Sequence, residues 1–445
     1  MRIIVVGAGE VGSNIAVSLS ADHDVIVVDV EPETVEELTY SQDVLAVEGD
    51  GTSLDLLREV GVDSADLFIA STDDDETNLV ACSTAKTLND VFTIARIKNA
   101  KYLETWNRSE RAFGVDFMVS VNLLTATDVV RIIGLPAALD VDPFSGGLVQ
   151  MVEFEVTKDS EIAGGTIAES DRFEGLTFAA LVHEGKVTIP RGETVIRPGD
   201  KIIVIGRPTS TREFSRVVAP LEAVEGIGDV VIAGGSEIGY HTARLLEERG
   251  LNPRLVERSP ERARQLAELL PRTTVLEHDA TDVEFLVAEH VNEADTVVAA
   301  TDSDEKNLLI SLLSKNIGVG RTVAIVNEGT YTELFEAVGI DVAISPREVT
   351  AEEIIRFSEE GSIENLSLIE GRQAEVLEVQ VDEGSVLTGR AIREAASELP
   401  SQVVIGAITR DGTFIVPRGE TVIEAGDHVV LFVATDVLSE VMGLV

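Results

Sequence analysis

Gly7-Ala-Gly-Glu-Val-Gly12 is the stretch of this sequence best equipped for chemistry. It lies between an apolar β-branched run (Ile3–Val6) and a helical pattern (Glu10–Ala21). In that setting the first glycine permits a tight turn, Gly9 lets a pyrophosphate approach the backbone, and Gly12 lets the helix pack on the strand. Ala8, Glu10 and Val11 complete a loop whose oriented N–H groups, at a helix N-terminus, suit a phosphate. Asp29 ends the second apolar run, 22 residues after Gly7. An acid there accepts hydrogen bonds from ribose hydroxyls, which favours an unphosphorylated adenosine over NADP. Asp50, after the third run, reads as a turn bordering the nucleotide. Thr72 and Asp73 close the fourth run, and Arg96 stands near the end of the fifth, where it can pair with a phosphate or with a surface carboxylate. The acidic run Asp73–Glu76 reads as the negative start of the next helix, with a metal site as the minor alternative.

These residues need strands that end together. Six short apolar runs, Ile3–Val6, Val25–Val28, Val44–Val47, Leu67–Ala70, Phe92–Ile97 and Phe117–Val119, alternate with helix-length segments such as Glu76–Leu88. Buried strands alternating with helices predict an α/β fold, a Rossmann-like doubly wound parallel sheet with ligands at the carboxyl ends of its strands. A further helix, Asn122–Ile133, ends at Gly134-Leu-Pro136. Asp140–Gly147 then reads as a linker. From Leu148 to about Leu221 shorter strand-like runs (Val149–Val156, Thr177–His183, Lys186–Ile189, Lys201–Ile205) predict a small α+β domain.

The whole unit is written twice. Ile189–Asp200 returns as Val416–Asp427 with nine of twelve positions identical, and Thr72–Leu79 returns as Thr301–Leu308 with six of eight identical. The glycine loop returns as Gly234, Gly235, Ser236, Glu237 and Ile238, closed by Gly239. The expected division is two sheet domains, 1–121 and 227–347, each followed by a small domain, 140–222 and 363–445. A helix over Ala351–Phe357 and a linker near Gly361–Asn365 complete the second copy. There Glu257 holds the place of Asp29, Asp279 that of Asp50, and Thr301 that of Thr72. Ser236 replaces Gly9, however, and Ile325 replaces Arg96, so the second copy is expected to bind nucleotide more weakly, or to bind something with fewer phosphates.

Composition narrows the partners. The 445 residues carry 79 acidic against 35 basic side chains, a formal charge of −44, with 44% hydrophobic residues. That is too apolar for a disordered acidic chain and too acidic for a phosphate backbone, so nucleic acid is excluded as a partner. Lys contributes only eight of the basic residues, which points to a halophilic host whose salt screens the self-repulsion. The single cysteine, Cys82, rules out an intramolecular disulfide and reads as a buried apolar residue. The sequence runs from Met1 straight into a strand, and no apolar run approaches a membrane span, so a cytoplasmic protein without membrane insertion is expected. Of the six histidines, His183, His278 and His428 can be compared across the duplication and none has a counterpart, and no Ser–His–Asp or Cys–His pattern is evident. A nucleotide fold without catalytic equipment reads as a sensor, against the alternative of a soluble NAD-dependent oxidoreductase.

The GAGEVG loop, the terminal Asp29, Ser71–Asn78 and the Pro190-Arg-Gly-Glu-Thr194…Pro198-Gly-Asp200 unit resemble RCK (KTN) regulatory domains. Their tandem order over nearly the whole chain is similar to the TrkA family, the cytosolic subunits of the Trk potassium uptake system. The resemblance implies binding of NAD(H), with ATP or ADP as further candidates. It also implies a homotetrameric ring at the inner face of the cell membrane, held there by a TrkH-like potassium-translocating subunit. The gating ring of a ligand-gated potassium channel is the close alternative. By resemblance the binding residues are Gly7–Val11, Asp29, Thr72, Asp73 and Arg96, with Gly234–Ile238 and Glu257 in the second copy.

Overall fold

The computed structural model describes residues 1–20, 23–41, 44–109, 112–135, 137–219, 228–358, 363–369 and 373–444. Pro136, Leu221, Gly361 and the expected boundaries at 222 and 227 lie outside them. The chain forms two compact units: Met1–Thr127 with Val230–Ser358, and Asp128–Asp229 with Glu359–Val445.

The first unit holds both nucleotide-type sheets. Strands β1 (Arg2–Val6), β2 (Asp24–Asp29), β3 (Leu45–Glu48), β4 (Leu67–Ala70), β5 (Phe92–Ile97) and β6 (Phe117–Ser120) pair in the order β3-β2-β1-β4-β5-β6. Every pairing is parallel. Ile3, Ile4, Val5, Val27, Phe68 and Ile69 are fully buried, as expected of a sheet covered by helices on both faces. The chain order reverses between β1 and β4, where such sheets open a crevice at their carboxyl ends. Cys82 is buried in this core, and burial pushes its thiol pKa up.

In the second unit β7 (Ala138–Phe144), β8 (Val149–Glu155), β9 (Leu176–His183), β10 (Lys186–Thr188) and β11 (Lys201–Gly206) form an antiparallel sheet in the order β10-β9-β11-β8-β7. Here the expectation at Asp140–Gly147 needs correction. Most of that stretch is edge strand paired with β8, in which Val141 and Phe144 are buried while Asp140, Asp142 and Pro143 are half-buried. The polar side chains read as a linker belong to a half-buried strand.

The second copy repeats both sheets. Strands β12 (Val230–Ala233), β13 (Arg254–Glu257), β14 (Thr274–Glu277), β15 (Thr296–Ala299), β16 (Arg321–Ile325) and β17 (Val342–Ile344) take the order β14-β13-β12-β15-β16-β17 in the first unit. In the second unit β18 (Ile363–Ile369), β19 (Ala374–Gln380), β20 (Val403–Arg410), β21 (Thr413–Ile415) and β22 (His428–Ala434) take the order β18-β19-β22-β20-β21. Residues 363–365, expected within a linker, therefore open β18. The helix expected at Ala351–Phe357 spans Pro346–Ser358. The two small sheets share one apolar core, in which Phe144, Met151 and Ile205 meet Val376, Ala407 and Phe432. Glu378, 1% exposed, accepts hydrogen bonds from Ser145 N (2.8 Å) and Oγ (2.6 Å), so each copy satisfies a polar group of the other.

Candidate functional site

At the crevice beside β1 a cleft of about 740 Å³ opens, within the ~300–1,000 Å³ usual for small-molecule sites. Nine residues singled out in the first copy line it: Gly7, Gly9, Glu10, Val11, Asp29, Asp50, Thr72, Asp73 and Arg96. Ala8 and Gly12 stand behind the lining and shape it. Ala8 N donates to Asp29 Oδ2 (2.5 Å), and Glu31 N donates to Oδ1 (2.9 Å), so Asp29 ties the glycine loop to the end of β2. A Cβ on Gly12 would come within 1.8 Å of the Gly7 carbonyl oxygen, whereas one on Gly9 would meet nothing within 4 Å. Gly12 is thus required by packing, and Gly9 leaves space open on the cleft.

The far wall gathers positive charge in a chain that has little. Arg96 is 4% exposed, and its Nη1 donates to Asp73 Oδ1 (3.1 Å) and to the Thr72 carbonyl (3.4 Å). Burial lowers its pKa from the ordinary arginine value, against the pull of Asp73. Lys98 Nζ lies 2.8 Å from the same Asp73 oxygen, and that hydrogen bond, reinforced by the charges of Lys98 and Arg96, holds the Asp73 carboxyl below its usual range. Arg347, from the start of the Pro346–Ser358 helix in the second copy, also lines the cleft. It pairs with Glu10, whose other oxygen accepts from Gly329 N (3.1 Å). The first site is therefore finished by residues of the second copy.

The acidic run resolves into three separate tasks. Asp73 faces the cations, and Asp74 caps the following helix by accepting from Thr77 N (2.8 Å). Asp75 accepts from Lys98 N and Asn99 N, both at 2.8 Å. Asn78, which the sequence reading passed over, is fully buried and clamps the strand ends. Its Oδ1 accepts from Thr72 N (2.8 Å), while Nδ2 donates to the Thr72 and Arg96 carbonyls (3.0 and 2.9 Å). Asn307 repeats this clamp on Thr301 and Ile325. Asn78 and Asn307 were detectable as identical positions in the repeated segment. Arg347 gave no such signal, since Asn122 stands at its place in the first copy.

In the second copy the same backbone plan carries different side chains. Glu257 accepts from Gly235 N (2.7 Å) and Ser259 N (2.6 Å), as Asp29 does in its own loop. Asp279 accepts from Thr281 N (3.0 Å) and Oγ1 (2.7 Å), matching Asp50 and Thr52. Ser236, however, caps its helix through Gly239 N (3.2 Å). Arg262, at the position of Thr34, lies over the loop, donating to the Gly235 carbonyl (2.7 Å) and to Glu237 (2.8 Å). His278 occupies the place of Gly49 and stacks on Phe285. A second cavity of about 330 Å³ reaches Ser236, Glu237, Ile238 and Thr301, and its lining does not include Gly234, Gly235, Glu257 or Asp279. Of the residues expected in the second copy, this cavity gathers Ser236, Glu237, Ile238 and Thr301. Arg96, Lys98 and Arg347 each have a neutral counterpart in the other copy: Ile325, Asn327 and Asn122.

Comparison with known proteins accords with this architecture. The TrkA-N domain family matches residues 3–121 and 230–346, and the TrkA-C domain family matches 151–219 and 376–445. A Trk system potassium uptake protein TrkA homolog of Archaeoglobus fulgidus is 37% identical over 441 residues, covering 99% of both chains. The Trk system potassium uptake protein TrkA of Haemophilus influenzae is 31% identical, over 98% of this chain and 96% of its own. Among solved structures, the GsuK RCK domain superposes with a TM-score of 0.61 at 20% identity, covering 99% of this chain and 95% of its own. The GsuK channel bound to NAD gives 0.60 at 20% identity, covering 100% of this chain and 78% of that one.

Proposed function

The chain belongs to the TrkA family of Trk system potassium uptake proteins, and on that premise we propose that it senses a nucleotide, NAD(H) or an adenine nucleotide, and gates a membrane potassium transporter. The observation that carries this reading is the first cleft. An open Gly9, a helix N-terminus and the cations Arg96 and Arg347 converge there, although the chain is −44 overall. Phosphate is the ligand chemistry such a wall favours. Asp29 and Asp50 supply carboxylates for an adenosine ribose. Residues Gly7–Val11, Asp29, Asp50, Thr72, Asp73 and Arg96 are accordingly the proposed binding residues. Gly234–Ile238, Glu257, Asp279 and Thr301 are the proposed residues of a weaker second site.

The partner in this reading is a TrkH-like membrane subunit, contacted by a homotetrameric ring at the inner face of the membrane. Among the described residues no helix is long and apolar enough to cross a membrane. The proposed division into parts is 1–121, 140–222, 227–347 and 363–445, which the family matches support. We read the chain as non-enzymatic: His183, His278, His290 and His428 are engaged by Asp200, Asp282, Glu293 and Glu378, away from the first cleft. Calorimetry with NAD⁺, NADH, ADP and ATP tests the ligand. Asp29→Ala should weaken binding much more than Glu257→Ala, and equal losses would overturn the assignment of the dominant site. A deletion strain with undiminished potassium uptake at limiting potassium, and no second gene copy, would overturn the transport role.

A further inference from the structure

The two copies differ in charge along the first half of their sheets. From Ile3 to Leu57 the first copy has twelve Asp or Glu and no Lys or Arg, whereas the matching stretch of the second, 230–286, has ten acids and seven arginines. The outer edge of the first sheet is β3, which pairs with β2 on one side and ends the sheet on the other. The helix Pro32–Ser41 packs beside it. Its exposed Glu33, Glu36 and Glu37 share the helix with no base, while the matching helix Pro260–Leu269 carries Arg262 and Arg264. Two large apolar side chains stand out on this edge. Tyr40, in the last turn of the helix, is 83% exposed, and Leu45, the first residue of β3, is 59% exposed. The second copy has Glu268 and Thr274 at these places, polar residues that suit a solvated edge. An apolar pair rimmed by acids, beside the N–H and C=O groups of a strand edge, is a surface suited to association.

We propose that this edge receives an extended, Lys- or Arg-bearing cytosolic segment of the membrane potassium-transporting subunit as an added strand. Backbone pairing to an exposed edge gives such a contact its affinity, and alternate side chains give it specificity. Apolar residues of the segment would cover Tyr40 and Leu45, and its cations would meet Glu48 on β3 and Glu36 and Glu37 on the helix, all three exposed. The occupant follows from charge. Another copy of this −44 chain brings more acid to an acidic edge, whereas the cytoplasmic loops of membrane proteins carry an excess of Lys and Arg. The inference rests on the transport reading and gives that reading a docking surface, on the first copy alone.

The test measures binding of the full-length chain to the TrkH-like subunit of the same host, reconstituted in nanodiscs, across a KCl series. Tyr40→Glu with Leu45→Thr installs the second copy's residues on an exposed edge outside the first cleft. Its melting temperature and ADP affinity should match the unaltered chain, and its affinity for the subunit should fall at least tenfold. Should the pair of changes lower the melting temperature, Tyr40→Glu alone is held to the same criterion. Glu36→Arg, which installs the counterpart Arg264, should cost about threefold or more, the loss shrinking as KCl is raised. Affinity for the subunit within threefold of the unaltered chain would overturn the docking surface. So would a change in the chain's own assembly state by light scattering, since the edge would then join copies of the chain. Tighter binding by Glu36→Arg would overturn the basic character of the segment. No binding by the unaltered chain would overturn the transport reading itself, and this surface with it.

Discussion

Replacing Arg96 with isoleucine would give the first copy the residue that the second copy carries at the same place, Ile325, which is 1% exposed. The change removes a buried guanidinium without stranding its partner, because the Asp73 side chain is 72% exposed and retains Lys98 at 2.8 Å. An ion pair this exposed on one side is worth about 1 kcal/mol or less. Replacing a buried ion pair by well-packed apolar side chains is often neutral or stabilising by about 1–4 kcal/mol, and here the partner left behind is solvated rather than buried. The melting temperature should therefore hold or rise by a few degrees. Binding should suffer, since a charge-assisted hydrogen bond to phosphate contributes about 1.5–3 kcal/mol, or roughly 10- to 150-fold in Kd. Calorimetric titration with ADP and NAD, beside a thermal melt, measures both quantities. A Kd within threefold of the unaltered protein would refute the role of Arg96, and a fall in stability would refute the argument about its burial.

Gly9→Ala should leave the melting temperature within about a degree, because an added Cβ meets nothing and the second copy already carries Ser236 at that position, but nucleotide affinity should drop at least tenfold. Gly12→Ala, with its 1.8 Å clash, should instead cost the fold of the first copy, which circular dichroism would show. His241 gives a pH prediction. Burial, then the charge of Arg244, pushes its imidazole from 6.5 down to about 4. The unfolded chain takes up the proton first, so this contribution is present above about pH 6.5 and lost as pH falls through about 4. At ~1.36 kcal/mol per pH unit it amounts to roughly 3 kcal/mol at most. His241→Asn, which installs the residue found at Asn14, should flatten the stability curve across that window; an unchanged slope would assign it to other groups. Finally, at −44 the chain should melt at its highest temperature, and assemble, only in concentrated KCl, and equal stability in dilute buffer would refute a halophilic surface.

The sheets could be read from the sequence because their signals are local and strong. Runs such as Ile3–Val6 and Leu67–Ala70 are apolar throughout, and only a strand buried on both faces needs that. Glycine spacing and the terminal Asp29 depend on neighbours a few residues away, so the phosphate loop was equally visible. The edge strands β7 and β18 were not. In β7 the buried Val141 and Phe144 stand among acids and a proline, which resembles a polar connection when read without its partner strand. Arg347 was hidden for another reason. It acts 337 residues from Glu10, across two copies of the repeat, and nothing in its own neighbourhood marks it. Arg262 and His278 likewise carry meaning only once the loop they cover is in place.

The duplication has diverged in a consistent direction. Arg96, Lys98 and Arg347 all serve the first copy's side of the junction, and each faces a neutral counterpart, Ile325, Asn327 and Asn122. Glu237 is satisfied within its own copy by Arg262, whereas Glu10 depends on Arg347 from the other. A phosphate entering the first cleft therefore meets an arginine already held by Glu10 and must share or displace that contact. A ligand shifts a conformational equilibrium only by the difference in its affinity for the two states. Here the difference has a physical location, since the Glu10–Arg347 pair and the Glu10–Gly329 bond fix the second copy's Pro346–Ser358 helix against the first copy's glycine loop. The second copy cannot work in reverse on the first by the same route, because Arg262 satisfies Glu237 from within. A ligand held in the first cleft, acting through this one arginine, would then bias how the paired sheets meet.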